Sequence, residues 1–509
     1  MDIITKSISN FYRRRQRIVE SYGKYLVDLQ REQLWYLLKS AEKTEWGLQH
    51  GYRSIRNYAD FVQRVPLQSY DTLKPWIERM INGERNILWP SYTKWFAKSS
   101  GTTNDKSKYI PVTPDILDTC HYRGGYDTTG LYLRNHPESR FFTKKSLILG
   151  GSHSPLPLNH HAHCGDLSAV LLQNIPSYVN LIRVPAKQII LMDEWEAKIS
   201  AIVEHTWNRR IGSLSGIPSW MLSLIKAILQ KAGRETLTEV WPDLEVFFHG
   251  GISFEPYRMA YEMLIPSDKM HYMETYNASE GFFGIQDDPA DQAMLLMIDY
   301  GIFYEFISVN ETVHVQTDSP TVVPLEEVKM CENYAMVIST NGGLWRYMIG
   351  DTIRFTSLFP HKFVISGRTT HFINAFGEEL VVDNAEKAIL IACRETGAEV
   401  NAYTAAALFL LDKGKGRHQW LIEFDRLPAS INEFARILDG ALQSLNSDYE
   451  AKRYREMSLQ APEIITAHEG VFFKWLKMKG KLGGQHKIPR LSNNREIIDE
   501  LLALNGLNG

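Results

Sequence analysis

At 509 residues the chain exceeds an ordinary single domain, and about 150 residues per domain gives an expectation of two to four. Hydrophobic residues make up 44% and charged residues 23%, which fits a folded globular protein and not a disordered or fibrous one. The 59 acidic and 56 basic residues leave a formal net charge of −3, without the basic excess of a nucleic-acid binder.

Four cysteines, at positions 120, 164, 331 and 393, are too sparse for a disulfide framework and read as buried thiols in a reducing compartment. Arg13, Arg14 and Arg15 are not followed by an apolar stretch, so no secretory signal is expected. No run of about 18 apolar residues indicates a membrane span. The expected location is the cytoplasm.

Residues 1 to about 45 read as helical, because Val19, Tyr22, Leu26, Leu29, Leu34, Leu37 and Leu38 recur mostly at three- and four-residue steps. A short helix is expected around Leu73–Asn82. The stretch Ser99-Ser100-Gly101-Thr102-Thr103-Asn104-Asp105-Lys106-Ser107-Lys108 then lies between an aromatic segment and the β-prone run Tyr109–Thr113. A hydroxyl-rich loop with one glycine and a closing lysine suits a polyphosphate, since hydroxyls and backbone N–H groups donate and the ammonium supplies charge. It is not a P-loop, for Gly101 stands alone. A polar loop before a strand is the bland alternative.

Ser146–Leu149 and Leu244–His249 read as buried strands ending in glycine pairs. Residues 193–210 and 219–232 read as helices, with Asp193 and Ser219 as possible caps. Residues 295–298, 303–307 and 336–339 read as strands, and Asn341-Gly342-Gly343 as a turn before Leu344–Tyr347. Beyond residue 368 the pattern is helix 383–396, strand 404–411, turn 413–417, strand 420–424 and helix 431–445. The expected fold is α/β. A large N-terminal domain, 1–368, has mixed sheets and helices, and a smaller α/β domain occupies 369–509.

Three further stretches hold residues suited to chemistry. Glu274-Thr275-Tyr276-Asn277-Ala278-Ser279-Glu280-Gly281 places an aromatic, a hydroxyl and a carboxylate close together, enough to stack a base, meet a phosphate and hold Mg²⁺. A turn with a helix cap is the alternative. In Tyr347-Met348-Ile349-Gly350-Asp351, a Gly-Asp after a strand can present a carboxylate to ribose hydroxyls. The lysine-tipped glycine loop Gly480–Arg490 is what a mobile domain would bring to a distant site.

Taken in order, these stretches resemble the GH3 acyl acid amido synthetases, named for auxin-responsive plant proteins and also found in bacteria. That family belongs to the adenylate-forming superfamily, with acyl-CoA synthetases and firefly luciferase. Thr44-Glu45-Trp46-Gly47, His50-Gly51 and Val65-Pro66 through Tyr70 extend the similarity over most of the chain.

The resemblance implies ATP and Mg²⁺ as cofactors, with a carboxylic acid and an amine, in all expectation an amino acid, as substrates. Ser99, Ser100, Gly101, Thr102, Thr103 and Lys108 would form the phosphate loop. Gly250 and Gly251 would wall the adenine, and Thr275 and Tyr276 would frame the nucleotide. Ser279 would meet phosphate, Glu280 would hold Mg²⁺, Asp351 would bind the ribose, and Arg368 would sit near it at the domain hinge. Lys487 would be the catalytic lysine of the smaller, swinging domain. Tyr122 and Arg123 are candidates for gripping the acid.

Asn104-Asp105 replaces a glycine common in relatives, and Met348 an arginine or valine. Thioester formation with coenzyme A is the alternative within the superfamily, and nucleotide binding without turnover the alternative from another class. The histidines of Asn159–Cys164 lack the paired spacing of a structural zinc site.

Overall fold

The computed structural model describes residues 2–99, 108–150, 153–155, 162–192, 195–251, 254–308, 320–368, 372–373, 378, 380–410, 415–446, 449–450, 453, 459–479, 488–492 and 495–506. Two compact units emerge. One holds residues 1–349, 353–364 and 483–485, and the other residues 350–352, 365–482 and 486–509.

The larger unit begins with two helices, Ile3–Glu20 and Tyr22–Ala41. Asp2 caps the first by accepting from Thr5 N–H at 3.0 Å. Arg15, from the basic triplet, is tied inward, donating to Asp127 Oδ2 at 2.8 Å and to Asp299 Oδ1 at 2.7 Å. The expected short helix runs from Tyr70 to Ile81, because Ser69 and Thr72 exchange backbone-to-side-chain hydrogen bonds in a capping box at its start.

A sheet of twelve strands is the backbone of the architecture. Its order is Val322–Pro324, Ile302–Ser308, Asn333–Thr340, Tyr347–Leu358, His361–Arg368, Met294–Leu296, Gly281–Ile285, His271–Ala278, Val246–Gly250, Ile211–Gly216, Lys145–Ile148 and Arg183–Val184. From His271–Ala278 to the Arg183–Val184 edge all pairings are parallel. A four-stranded sheet, Lys108–Val112, Trp95–Ser99, His163–Gly165 and His153–Pro155, stands apart from it.

The smaller unit contains a four-stranded sheet in the order Glu463–Ala467, Lys415–Arg426, Glu399–Leu410 and Leu491–Ser492. Its helices Val382–Thr396 and Ile431–Leu445 bury Ala388, Ile389, Phe434 and Leu438 in one core with Trp420. Ser430 caps the second, accepting from Glu433 N–H at 3.3 Å.

The fold is the expected α/β architecture, with local departures. Helix Pro218–Ala232 starts on proline, so Ser219 lies inside it and is not its cap. Asp193 lies outside the described residues. The expected turn 413–417 is already strand from Lys415 onward. Of the four free cysteines, Cys120 and Cys164 are buried, but Cys331 is exposed and Cys393 only half-buried. Cys331 lies in a surface turn with a φ of 65°.

Candidate active site

Two features of the parallel region form a cradle. Strand Val246–Gly250 runs alongside His271–Ala278, with His249 opposite Glu274 and Gly250 opposite Thr275. A Cβ built on Gly250 would lie 2.2 Å from the Thr275 carbonyl oxygen, so only glycine lets the two backbones approach this closely. Gly251 follows with a φ of 84°. Thr275 Oγ1 donates to the His249 carbonyl at 3.2 Å, locking the two strand ends.

Four residues beyond Thr275 lies the tip of a tight hairpin. Ala278 pairs with Gly281, so Ser279 and Glu280 are its whole two-residue loop, and no helix cap forms here. Hairpin tips ordinarily stand in water. This one does not: Ser279 is 2% exposed and Glu280 7%. Ser279 Oγ has no hydrogen-bond partner among the described residues. A buried hydroxyl left unpaired costs on the order of 1–3 kcal/mol, which a phosphate oxygen placed against it would recover. Orphaned hydroxyl, buried carboxylate and bare glycine wall fit a nucleotide and its cation.

The surroundings are low in dielectric. Burial first, and then repulsion from Glu255 against a weaker pull from Arg258, pushes the Glu274 carboxyl up to about 7. Burial, with Arg258 nearby, holds His249 down to about 3, and its ring stacks on Phe254 at 4.3 Å. Neither Glu274 nor His249 had been singled out in the sequence. Glu274 stood inside the quoted motif, but nothing local distinguishes a buried carboxylate from an exposed one.

The turn at residues 117–122, a π-helix, brings Cys120 and His121 against the same hairpin. Phe282 N–H donates to Cys120 Sγ at 3.1 Å, and His121 Nδ1 shares a 3.0 Å hydrogen bond with Asn277 Oδ1. Burial keeps His121 neutral, at about 4, and pushes the Cys120 thiol up to about 12. Tyr122 Oη donates to the Leu171 carbonyl at 2.9 Å, and Arg123 Nη1 to that of Asp299 at 3.2 Å. His121 carried no sequence signal, since its partner Asn277 is remote along the chain.

Segments 120–121, 249–251 and 275–282 are thus brought together, while the side chains of Tyr122 and Arg123 bond elsewhere. Tyr276 is buried, its ring centroid 5.0 Å from that of Phe283 and 6.1 Å from that of Phe363. Ser99 ends its strand directly opposite Lys108, which begins the next, and the Lys108 ammonium lies 5.8 Å over the Tyr70 ring. Ser100, Gly101, Thr102, Thr103 and Lys487 fall outside the described residues. Asp351 is buried and groups by contact with the smaller unit. It lies inside strand Tyr347–Leu358, not after a strand, because Gly350 takes a φ of 92° and lets the strand continue. Arg368 is the last residue of strand His361–Arg368.

The GH3 family N-terminal domain matches residues 15–270, the central domain residues 295–368 and the C-terminal domain residues 383–496. The chain belongs to the GH3 family. This GH3 protein is 23% identical to the indole-3-acetic acid-amido synthetase GH3.3 of Arabidopsis thaliana, over 95% of its own length and 92% of the relative's. To the 4-substituted benzoates-glutamate ligase GH3.12 of the same plant it is 21% identical, over 87% and 88%.

Its structure superposes on the GH3.15 acyl acid amido synthetase in complex with 2,4-DB with a TM-score of 0.77 at 18% identity, covering 96% of this chain and 95% of the other. The 2-hydroxyisobutyryl-CoA ligase, in its postadenylation state, superposes with a TM-score of 0.57 at 11% identity, over 94% and 90%. The fold is that of the adenylate-forming ligases, enzymes that use ATP. Among the described residues no helix is long and apolar enough to cross a membrane.

Proposed function

We propose that this GH3 protein is an ATP- and Mg²⁺-dependent acyl acid amido synthetase. It joins a carboxylic acid to an amine, an amino acid by analogy with the relatives' glutamate and indole-3-acetic acid conjugations. The observation that supports this most is the buried Ser279–Glu280 hairpin tip beside the Gly250–Gly251 wall.

In the first half-reaction a carboxylate oxygen of the acid attacks the α-phosphorus of ATP, the bond to the β-phosphate breaks and pyrophosphate leaves. Ser99, Ser100, Gly101, Thr102, Thr103 and Lys108 hold the β- and γ-phosphates. Ser279 donates to a phosphate oxygen, Asp351 accepts from the ribose hydroxyls, and Thr275, Tyr276 and Arg368 frame the nucleoside. Glu280 would hold Mg²⁺, which when bound would supply charge to offset that building on the phosphates. Lys487 adds an ammonium to the same charge, carried there by the domain 369–509, preorganised electrostatics being the main catalytic term in such transfers. In the second half-reaction the amine nitrogen attacks the acyl carbonyl, AMP leaves and the nitrogen gives up its proton.

Tyr122 and Arg123 contact the acid, and neutral His121 lines their turn. A site dry enough to raise Glu274 and depress His249 also protects an acyl-adenylate from hydrolysis. Four free thiols fit a cytoplasmic setting.

The test is pyrophosphate release with ATP, Mg²⁺ and a panel of aromatic, indolic and fatty acids, with and without mixed amino acids. Acid-dependent release with an amide in the mass spectrum is the expected outcome. A thioester formed only with coenzyme A would replace this proposal with an acyl-CoA ligase, and nucleotide binding without release from any acid would leave a non-catalytic binder.

A further inference from the structure

At the opposite end of strand His271–Ala278 from the Ser279–Glu280 tip, three side chains from two distant parts of the sequence converge. His136 caps the C-terminal end of helix Arg123–Asn135, Glu138 follows two residues later, and His271 is the first residue of the strand. One ligand atom from each of His136, Glu138 and His271 lies within 4.8 Å of the other two. His136 Nδ1 is 3.4 Å from Glu138 Oε1, and the two imidazoles stack with ring centroids 3.7 Å apart. Seven strand steps of about 3.3 Å separate His271 from Ala278, which puts this cluster roughly 23 Å from the hairpin tip.

We propose that His136, Glu138 and His271 bind a divalent transition-metal ion of the zinc class. Two imidazoles and a carboxylate are a donor set suited to Zn²⁺, and unsuited to Mg²⁺, which prefers oxygen ligands. Ligands about 2.0–2.1 Å from a tetrahedral ion stand roughly 3.3 Å from one another, so the three ligand atoms, now within 4.8 Å, would close in as the two imidazoles turn out of their stack to aim their nitrogens at the ion. Water completes the fourth position, on the side where Glu138 is exposed.

The ion would staple the end of the helix that starts at Arg123 to the strand that ends at the Ser279–Glu280 tip. Its effect is therefore on rigidity at the two segments brought together above, not on the chemistry itself.

The test uses the full chain, stripped with a chelator, desalted and titrated with ZnCl₂ at saturating Mg²⁺. One Zn²⁺ per chain should bind, raise the thermal midpoint, and bind more weakly as pH falls through the imidazole range. The doubly substituted His136→Asn, His271→Asn chain should lose the site and the visible bands of its Co²⁺ form. Glu138→Gln, at a largely exposed position where the fold is not at risk, should weaken Zn²⁺ roughly tenfold. Absence of saturable binding to the unsubstituted chain would overturn the proposal. So would binding that persists in the double variant, which would assign it to the histidines between 160 and 163.

Discussion

Glu280 and Glu274 are separated by six positions in one motif, yet their surroundings give them different work. Glu280 sits at the buried hairpin tip, while Glu274 faces Glu255 and Arg258. Glu280→Gln keeps the shape and removes the charge. It should cut Mg²⁺-dependent pyrophosphate release by on the order of 10²-fold while the cooperative melt persists. Undiminished release would remove its metal role.

For Glu274 the folded carboxyl titrates near 7, against an ordinary value of 4.5, so the folded state binds its proton more tightly than the unfolded one. Stability from this group is complete below pH 4.5 and is lost as pH rises to about 7, by ~3 kcal/mol. Glu274→Gln should therefore match the parent chain at pH 4 and exceed it at pH 8 in urea unfolding. Equal stability at both values would show that the carboxyl is not held in a dry site.

At the scale of elements, sequence reading gave periodic segments closely and turns poorly. Helix Ile431–Leu445 begins and ends where its apolar period indicates, and Pro218–Ala232 differs by one residue. The Ser279–Glu280 turn left both a helix cap and a ligand loop open, because a two-residue hairpin and a helix start use the same polar residues. What distinguishes them is the pairing of Ala278 with Gly281, a contact between strands. The glycines of strand Val246–Gly250 were visible as a pair, but not the reason for them. Gly250→Ala would drive a methyl into the Thr275 carbonyl and should destabilise by about 3 kcal/mol in urea unfolding, since two paired backbones cannot both give way. A loss under 1 kcal/mol would show that the strand ends part easily.

Over the whole molecule, buried histidines set the acid limit. His121 titrates near 4, His249 near 3 and His361 near 4, each lowered mainly by burial from an ordinary 6.5. Between pH 6.5 and about 4 the unfolded chain takes up protons that the folded chain refuses, so stability falls as pH falls. Each contributes a loss of ~3 kcal/mol, opposed over part of the window by carboxyls that burial raises, among them Glu274, Glu245, Glu386 and Glu423. The three histidine shifts are the larger, and the urea midpoint should drop between pH 6.5 and 4. A flat profile would mean that these imidazoles open to water at little cost.

Composition, apolar period and the order of four short motifs were enough to indicate an α/β chain of the GH3 type, because they are local properties that survive at 23% identity. Which polar groups are buried was decided only by tertiary structure. The orphaned Ser279 hydroxyl, the neutral His121 beside Asn277 and the meeting of His136 with His271 all depend on strands and helices that are remote in sequence. Desolvation acts through space, and no residue's neighbours along the chain report it.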